Sequence, residues 1–270
     1  MTSFLDAIVA SRKAEAGRVR AAGGVAALER AAGDAPPALG FGAALGAPGM
    51  TLIAEVKRAS PSAGDIARAA EPAEQARAYR DGGAAAISVL TEPEHFGGSL
   101  EDLRAVRSAV DVPVLRKDFL CDEVHVLEAR AEGADAVLLI VAALDDGTLR
   151  RLHDLAGALG MAALVEVHEA AEVERALGAG ARIVGVNTRN LRTLEVDLAT
   201  IDAVRPLIPA GVVVVAESGI ASRADVQRAE ALGCDAVLVG EALMRAEDPA
   251  RAVAALLGRS SSGPVRRLGR

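Results

Sequence analysis

The chain has 270 residues, of which 51% are hydrophobic, 25% charged and only 2% aromatic, and its formal net charge is −7. An apolar half supplies a substantial core and excludes global disorder. One Tyr, four Phe and no Trp exclude a stacking platform for single-stranded nucleic acid, and the acidic balance excludes a generally basic nucleic-acid binder, though not a local anion site.

Residues 1–34 read as helix, FLDAIVASRKAEAGRVRAA followed by VAALERAA. Asp6, Arg12, Lys13 and Glu15 interrupt the first twenty residues, so no signal peptide is visible and a cytoplasmic protein is expected. The stretch 35–54 carries no charge, but Pro36, Pro37 and Pro48 break it, which argues against a membrane span. Residues 35–50 therefore read as a Pro/Gly-rich connector, and the helical segment as a cap over one end of the domain beyond it.

Eight short apolar runs come next, at 51–57, 85–90, 112–117, 135–141, 162–167, 182–187, 212–218 and 235–240. Their starts recur at roughly 26 residues, room for one strand and one helix. Helical spacing with charged faces fills the gaps, as in 71–83, 99–110 and 122–133, and Gly83, Gly133, Gly180 and Gly233 stand where helix C-caps belong. Two of those exits are near-copies, GADAVL at 133–138 and GCDAVL at 233–238. Continuous apolar runs mark parallel strands covered on both faces. An open doubly wound sheet is the rival, but the first strand is followed by KRASPSAG rather than a glycine fingerprint. The expected fold is α/β, a (β/α)8 TIM barrel with an N-terminal helical extension, one domain over residues 1–258. The polar tail 259–270 is expected to be disordered.

Barrel chemistry sits at the carboxyl ends of the strands, so charges on the last positions of apolar runs carry the argument. Glu55 and Lys57 end the first run, two apart and on one side of the strand; Lys117 ends the third and Glu166 the fifth. Asn187 and then Arg189 end the sixth, Glu217 and Ser218 the seventh. Isolated burial of so many charges is costly unless they are paired or used. Ser218-Gly219 and Gly240-Glu241 follow strands seven and eight, where such barrels bind phosphate through backbone N–H groups, and Ser60 offers a hydroxyl after strand one. His95, His125, His153 and His168 show no metal-ligand spacing and read as structural or surface groups, and no metal or organic cofactor motif appears. Cys121 and Cys234 read as small core residues of a reducing compartment.

With these residues assembled, the chain resembles the indole-3-glycerol-phosphate synthases over about residues 4–257. The strings IAEVKRASPSAG (53–64), SVLTEPEHFGGS (88–99), VLRKDFL (114–120), ALVEVH (163–168), VGVNTRNL (184–191), VAESGI (215–220) and VLVGEALM (237–244) carry the likeness. Ala63 and Asn190 depart from it, where a basic residue and Asp are usual. The resemblance implies ring closure, decarboxylation and dehydration of 1-(2-carboxyphenylamino)-1-deoxyribulose 5-phosphate, without a cofactor. It implies Lys117 as general acid, Glu166 as general acid/base and Lys57 on the substrate carboxylate. Glu55, Asn187, Arg189, Glu217 and Ser218 would hold and polarise the substrate. Ser60 and the backbone of Gly219, Gly240 and Glu241 would hold phosphate. Phe96, Phe119, Leu138 and Leu238 would line an aryl slot, and two of only four Phe lying beside the rim agrees with that. The implied partner is a phosphorylated small molecule, with neither nucleic acid nor membrane; a monomer fits, and association with other pathway enzymes stays open. A sugar-phosphate isomerase would place a Cys or Asp pair at strands one and six, which this chain lacks. A non-catalytic scaffold would have lost Lys117 or Glu166.

Overall fold

The structure is a computed structural model that describes residues 3–191 and 193–259. Eight parallel strands close into a barrel in sequential order: β1 (Thr51–Val56), β2 (Ala86–Leu90), β3 (Val114–Lys117), β4 (Ala136–Ile140), β5 (Ala162–Val167), β6 (Ile183–Asn187), β7 (Val213–Glu217) and β8 (Ala236–Val239). All eight expected strands form, trimmed by local chemistry. Pro113 has no N–H to give a ladder, so β3 starts after it. Ser218 turns into the left-handed region at φ 67°, so β7 stops at Glu217. Helices occupy the gaps, among them α4 (Pro72–Asp81), α5 (Pro93–Phe96), α6 (Leu100–Ala109), α7 (Glu123–Ala131), α8 (Asp146–Ala158), α9 (Ala170–Gly178), α10 (Ala199–Val204) and α11 (Arg223–Ala231). A small antiparallel hairpin with strands of two residues each, Ala59–Ser60 and Gly64–Asp65, interrupts the loop after β1 and was not expected. No helix among the described residues is long and apolar enough to cross a membrane.

Period-two alternation divides the core in two. Inside the barrel lie Ile53, Leu115, Leu138, Leu164, Val215 and Leu238. Outside, Leu52, Ala54, Val137, Val165, Val214 and Val237 meet the helices. The inward series continues upward as Glu55, Lys117, Glu166, Asn187 and Glu217, so the positions that build the apolar interior below present charge at the mouth above.

The N-terminal segment forms α1 (Phe4–Ala21), α2 (Val25–Asp34) and a short α3 (Phe41–Leu45) within the stretch read as a connector. It touches both ends of the barrel rather than capping one. Phe4 of α1 reaches the ring of His95 beyond β2, with centroids 5.0 Å apart. Phe41 and Leu45 of α3 join the interior cluster at the other end, where Thr51 Oγ1, at the start of β1, donates to Leu45 O at 3.1 Å. Of the expected tail, Arg259 still closes the last helix, α13 (Pro249–Leu256), through its N–H to Ala254 O, and residues 260–270 lie outside the described residues.

Candidate active site

At the carboxyl end of the strands a cavity of about 350 Å³ opens, lined by Glu55, Lys57, Ser60, Phe96, Lys117, Phe119, Leu138, Glu166, Asn187, Arg189, Glu217, Ser218, Gly219, Leu238, Gly240 and Glu241. Every residue singled out in the sequence therefore meets the same space, although they span nearly the whole barrel. Phe4, Ile140, Leu191, Leu194, Ile220 and Arg245 also face it and were missed. Leu191 and Leu194 could not have been found from strand ends, because they sit in the loop after β6. That loop folds back through an isolated bridge between Arg189 and Val196, with the Arg189 guanidinium donating to Leu194 O at 2.8 Å.

Lys117 occupies the centre. Its Nζ lies 3.6 Å from Glu166 Oε2, 3.7 Å from Glu217 Oε2 and 4.0 Å from Glu55 Oε2. Lys57 Nζ pairs with Glu55 Oε1 at 2.8 Å. Burial by itself would lower the lysine's pKa, but Glu166, Glu217 and Glu55 outweigh it and hold Lys117 above its ordinary value, hence protonated. Burial would likewise raise Glu55, yet Lys57 and Lys117 hold it low. The other two carboxyls part company. Lys117, with His168 and Asn187, overcomes burial and keeps Glu166 ionised, whereas burial and the Glu166 charge push Glu217 upward. One proton thus rests preferentially on Glu217, the separation expected when two carboxyls share a dry site. Both oxygens of Glu217 and Oε2 of Glu166 are buried without a hydrogen-bond partner among the described residues, so they have capacity for a bound molecule.

Two glycines make room for this crowd. A Cβ on Gly185, which stands opposite Glu166 in the β5–β6 ladder, would come within 2.0 Å of Glu217 Oε1. One on Gly240 would approach Glu55 Oε1 to 2.3 Å and Lys57 Nζ to 3.2 Å. Across the mouth, Asn187 Oδ1 accepts from Ser218 Oγ at 2.7 Å and from the Arg189 N–H at 3.0 Å, tying the ends of β6 and β7 together. Ser218 and Gly219 are consecutive left-handed residues (φ 67° and 70°), and α12 (Glu241–Met244) begins just past Gly240 without a side-chain cap. Both turns border the cavity, as does Arg245. Phe96 and Phe119 stand opposite these turns, with ring centroids 6.1 Å apart.

Of the histidines, His168 is not at the surface: its side chain is nearly buried, with Nε2 3.2 Å from Glu166 Oε1 and Nδ1 3.4 Å from Glu172 Oε2. Their spacing of two along the β5 exit was the available signal. The ligand atoms of Glu92, Glu94 and His95 also lie within 4.8 Å of one another, a grouping that sequence spacing did not suggest. The Glu92 carboxylate there accepts the N–H groups of Glu94, His95 and Phe96 and so caps a short helical turn. Cys121 and Cys234 are buried and unbridged, as expected.

Among solved structures, the fold is similar to 3-hexulose-6-phosphate synthase (TM-score 0.63, 22% identity, 77% of this chain and 99% of that one). It is also similar to the thiamine phosphate pyrophosphorylase of Pyrococcus furiosus (TM-score 0.58, 20% identity, 77% and 94%). At those identities the likeness concerns the barrel alone. The sequence goes further. It is 54% identical over 256 residues to the indole-3-glycerol phosphate synthase of a Nocardioides species, covering 95% of this chain and 98% of that one. It is 52% identical over 255 residues to that of Rhodococcus opacus, covering 94% and 95%. The family model of indole-3-glycerol phosphate synthase matches residues 5–256, which include every side chain at the mouth except Phe4, and the chain belongs to that family.

Proposed function

We propose that the mouth of this barrel performs the indole-3-glycerol phosphate synthase reaction with Lys117 as general acid and Glu166 as general acid/base. The chain is a carboxy-lyase of tryptophan biosynthesis acting on a phosphorylated small molecule. In 1-(2-carboxyphenylamino)-1-deoxyribulose 5-phosphate, the ring carbon bearing the carboxylate attacks the ketone carbon of the sugar. Negative charge develops on the carbonyl oxygen, and Lys117 donates its proton there. The developing alkoxide is far more basic than a lysine amine, so the transfer is favourable despite the raised pKa of Lys117. Carbon dioxide then leaves with its bonding pair returned to the ring. Finally the new hydroxyl departs as water while a proton is lost from the ring system, and Glu166 serves that exchange.

The observation carrying this reading is the placement of one ammonium within 4.0 Å of three buried carboxyl groups, two of them carrying unsatisfied oxygens, in a cavity with an apolar wall. Lys57, paired with Glu55, would hold the departing carboxylate without over-stabilising it, since only differential binding accelerates the step. Glu55, Asn187, Arg189, Glu217 and Ser218 would orient the substrate. Ser60 and the turns at Gly219, Gly240 and Glu241 would take the phosphate, and Phe96, Phe119, Leu138 and Leu238 the aryl ring. We read it as a cytoplasmic enzyme, with these groups of one chain lining one cavity as a monomer requires. In the test, Lys117→Ala lowers kcat, followed by indole fluorescence, by roughly two to four orders of magnitude while circular dichroism is unchanged. Near-normal turnover would remove Lys117 from the acid role.

A further inference from the structure

We propose that His168, held between Glu166 and Glu172, is a positioning residue for Glu166: its imidazole holds Oε1, so that the carboxylate keeps Oε2 turned toward Lys117. This deepens the proposed function and rests on Glu166 being the general acid/base.

His168 follows β5 directly and does not line the cavity, so it acts only through its neighbours. Its imidazole bridges two carboxylates, with Nε2 3.2 Å from Glu166 Oε1 and Nδ1 3.4 Å from Glu172 Oε2. Glu172 stands in the first turn of α9, and its Oε2 also accepts the backbone N–H of His168 at 2.6 Å. That bond fixes the strand exit and the ring together. All three side chains are nearly buried. Glu166 is thereby gripped from two sides, Oε1 by the imidazole and Oε2 by Lys117 at 3.6 Å. Without the contact to the imidazole the carboxylate could turn both oxygens toward Lys117, and its alignment for proton exchange would be lost.

The electrostatics agree with the geometry. Burial disfavours an imidazolium, but Glu166 and Glu172 outweigh it and raise His168 to about 10. The other charged or polar groups facing Glu166 are Lys117 on β3, Glu55 on β1, Glu217 on β7 and Asn187 on β6. Glu55 is the ionised carboxylate among these and disfavours a second charge beside it, whereas Lys117, His168 and Asn187 are what keep Glu166 ionised. A cation beside a carboxylate lowers its pKa, so removing the imidazolium must raise that of Glu166.

The test compares His168→Gln, Glu172→Gln and Glu166→Gln, singly and in pairs. For His168→Gln, kcat falls roughly tenfold, KM stays within about twofold, and the acidic limb of the kcat–pH profile moves up by roughly one unit. Glu172→Gln, whose amide oxygen can still accept the His168 N–H, moves the limb the same way by less. It gives a second reading should His168→Gln fold poorly. Adding His168→Gln to Glu166→Gln costs nothing further, because the histidine acts only through that carboxylate. A merely structural histidine would instead give multiplying losses and an unmoved limb, and either result overturns the proposal. Full activity of Glu166→Gln would overturn the assignment of Glu166 itself; an inactive Glu166→Gln with a normal His168→Gln would overturn only the positioning role.

Discussion

At the scale of single residues, the site is defined as much by missing atoms as by charges. Gly185 has ordinary strand geometry, so conformational freedom does not explain it. The explanation is space: a methyl group there would meet Glu217 Oε1 at 2.0 Å and Leu164 Cδ1 at 3.3 Å. Gly185→Ala should therefore fold, because the nearest obstacle is the end of a side chain. Moving that carboxylate off Lys117 should cost about 1–3 kcal/mol of overpacking and lower kcat about tenfold or more. Retained turnover alongside an unchanged melting temperature would mean that Glu217 relaxes freely and its placement is unimportant. The charged residues of the mouth were legible from sequence because each ends an apolar run, where burying an idle charge is unfavourable. Gly185 was not legible, since a glycine inside a strand leaves no local trace of the neighbour it accommodates. His168 was visible but undervalued: its partner Glu172 lies on the following helix, and only the fold reveals that the ring joins two carboxylates.

At the scale of elements, β3 shows how a strand end is locked so that one side chain points inward. Arg116 and Asp118 flank Lys117 and face outward into a buried network. Asp118 Oδ2 accepts from Thr91 Oγ1 at 2.6 Å, pairs with Arg116 at 3.2 Å, and pairs with Arg12 of α1 at 2.9 Å. The Arg116 guanidinium also donates to His125 O at 2.7 Å and pairs with Glu128 at 3.2 Å, both on α7. These cations overcome burial and hold the Asp118 carboxyl low, while burial and the same arginines drive His125 down to about 3, so it stays neutral. Arg12→Ala removes one partner from a buried ion pair, and such losses cost about 3–5 kcal/mol. The remaining contacts to Arg116 and Thr91 place the expectation at the low end, to be read from urea unfolding. A change below about 1 kcal/mol would show that α1 is dispensable to β3. The strands and long helices were legible from period and capping, whereas this network was not. Arg12 and Asp118 are 106 positions apart, and nothing along the chain marks them as partners.

At the scale of the whole molecule, the two ends of the barrel carry separate tasks, and the N-terminal extension serves both. Through α1 it braces the mouth; through α3 it seals the opposite end. In sequence, residues 35–50 read as a connector because Pro36, Pro37 and several glycines outweigh a five-residue helical signal. Phe41 and Leu45 are nonetheless almost wholly buried, against an interior that the strands alone leave open. Local composition could not show this, since the need for a plug exists only once the barrel closes. The connector is fastened on its other flank by polar contacts as well: Leu39 N–H donates to Asp135 Oδ1 at 2.7 Å, and the Arg130 guanidinium donates to Ala35 O at 3.1 Å. Phe41→Ala should leave a cavity beneath the barrel and cost about 3–5 kcal/mol. The plug packs at the amino ends of the strands and Lys117 stands at a carboxyl end, so the loss should be one of stability and not of chemistry. The expected result is a melting temperature lower by roughly 6–20 °C, from about 2–4 °C per kcal/mol for a domain of this size, with kcat and KM at low temperature within about twofold of the parent. A kcat deficit as large as that of the mouth variants, measured where the protein is fully folded, would show that the plug transmits strain up the barrel and that the two ends are coupled.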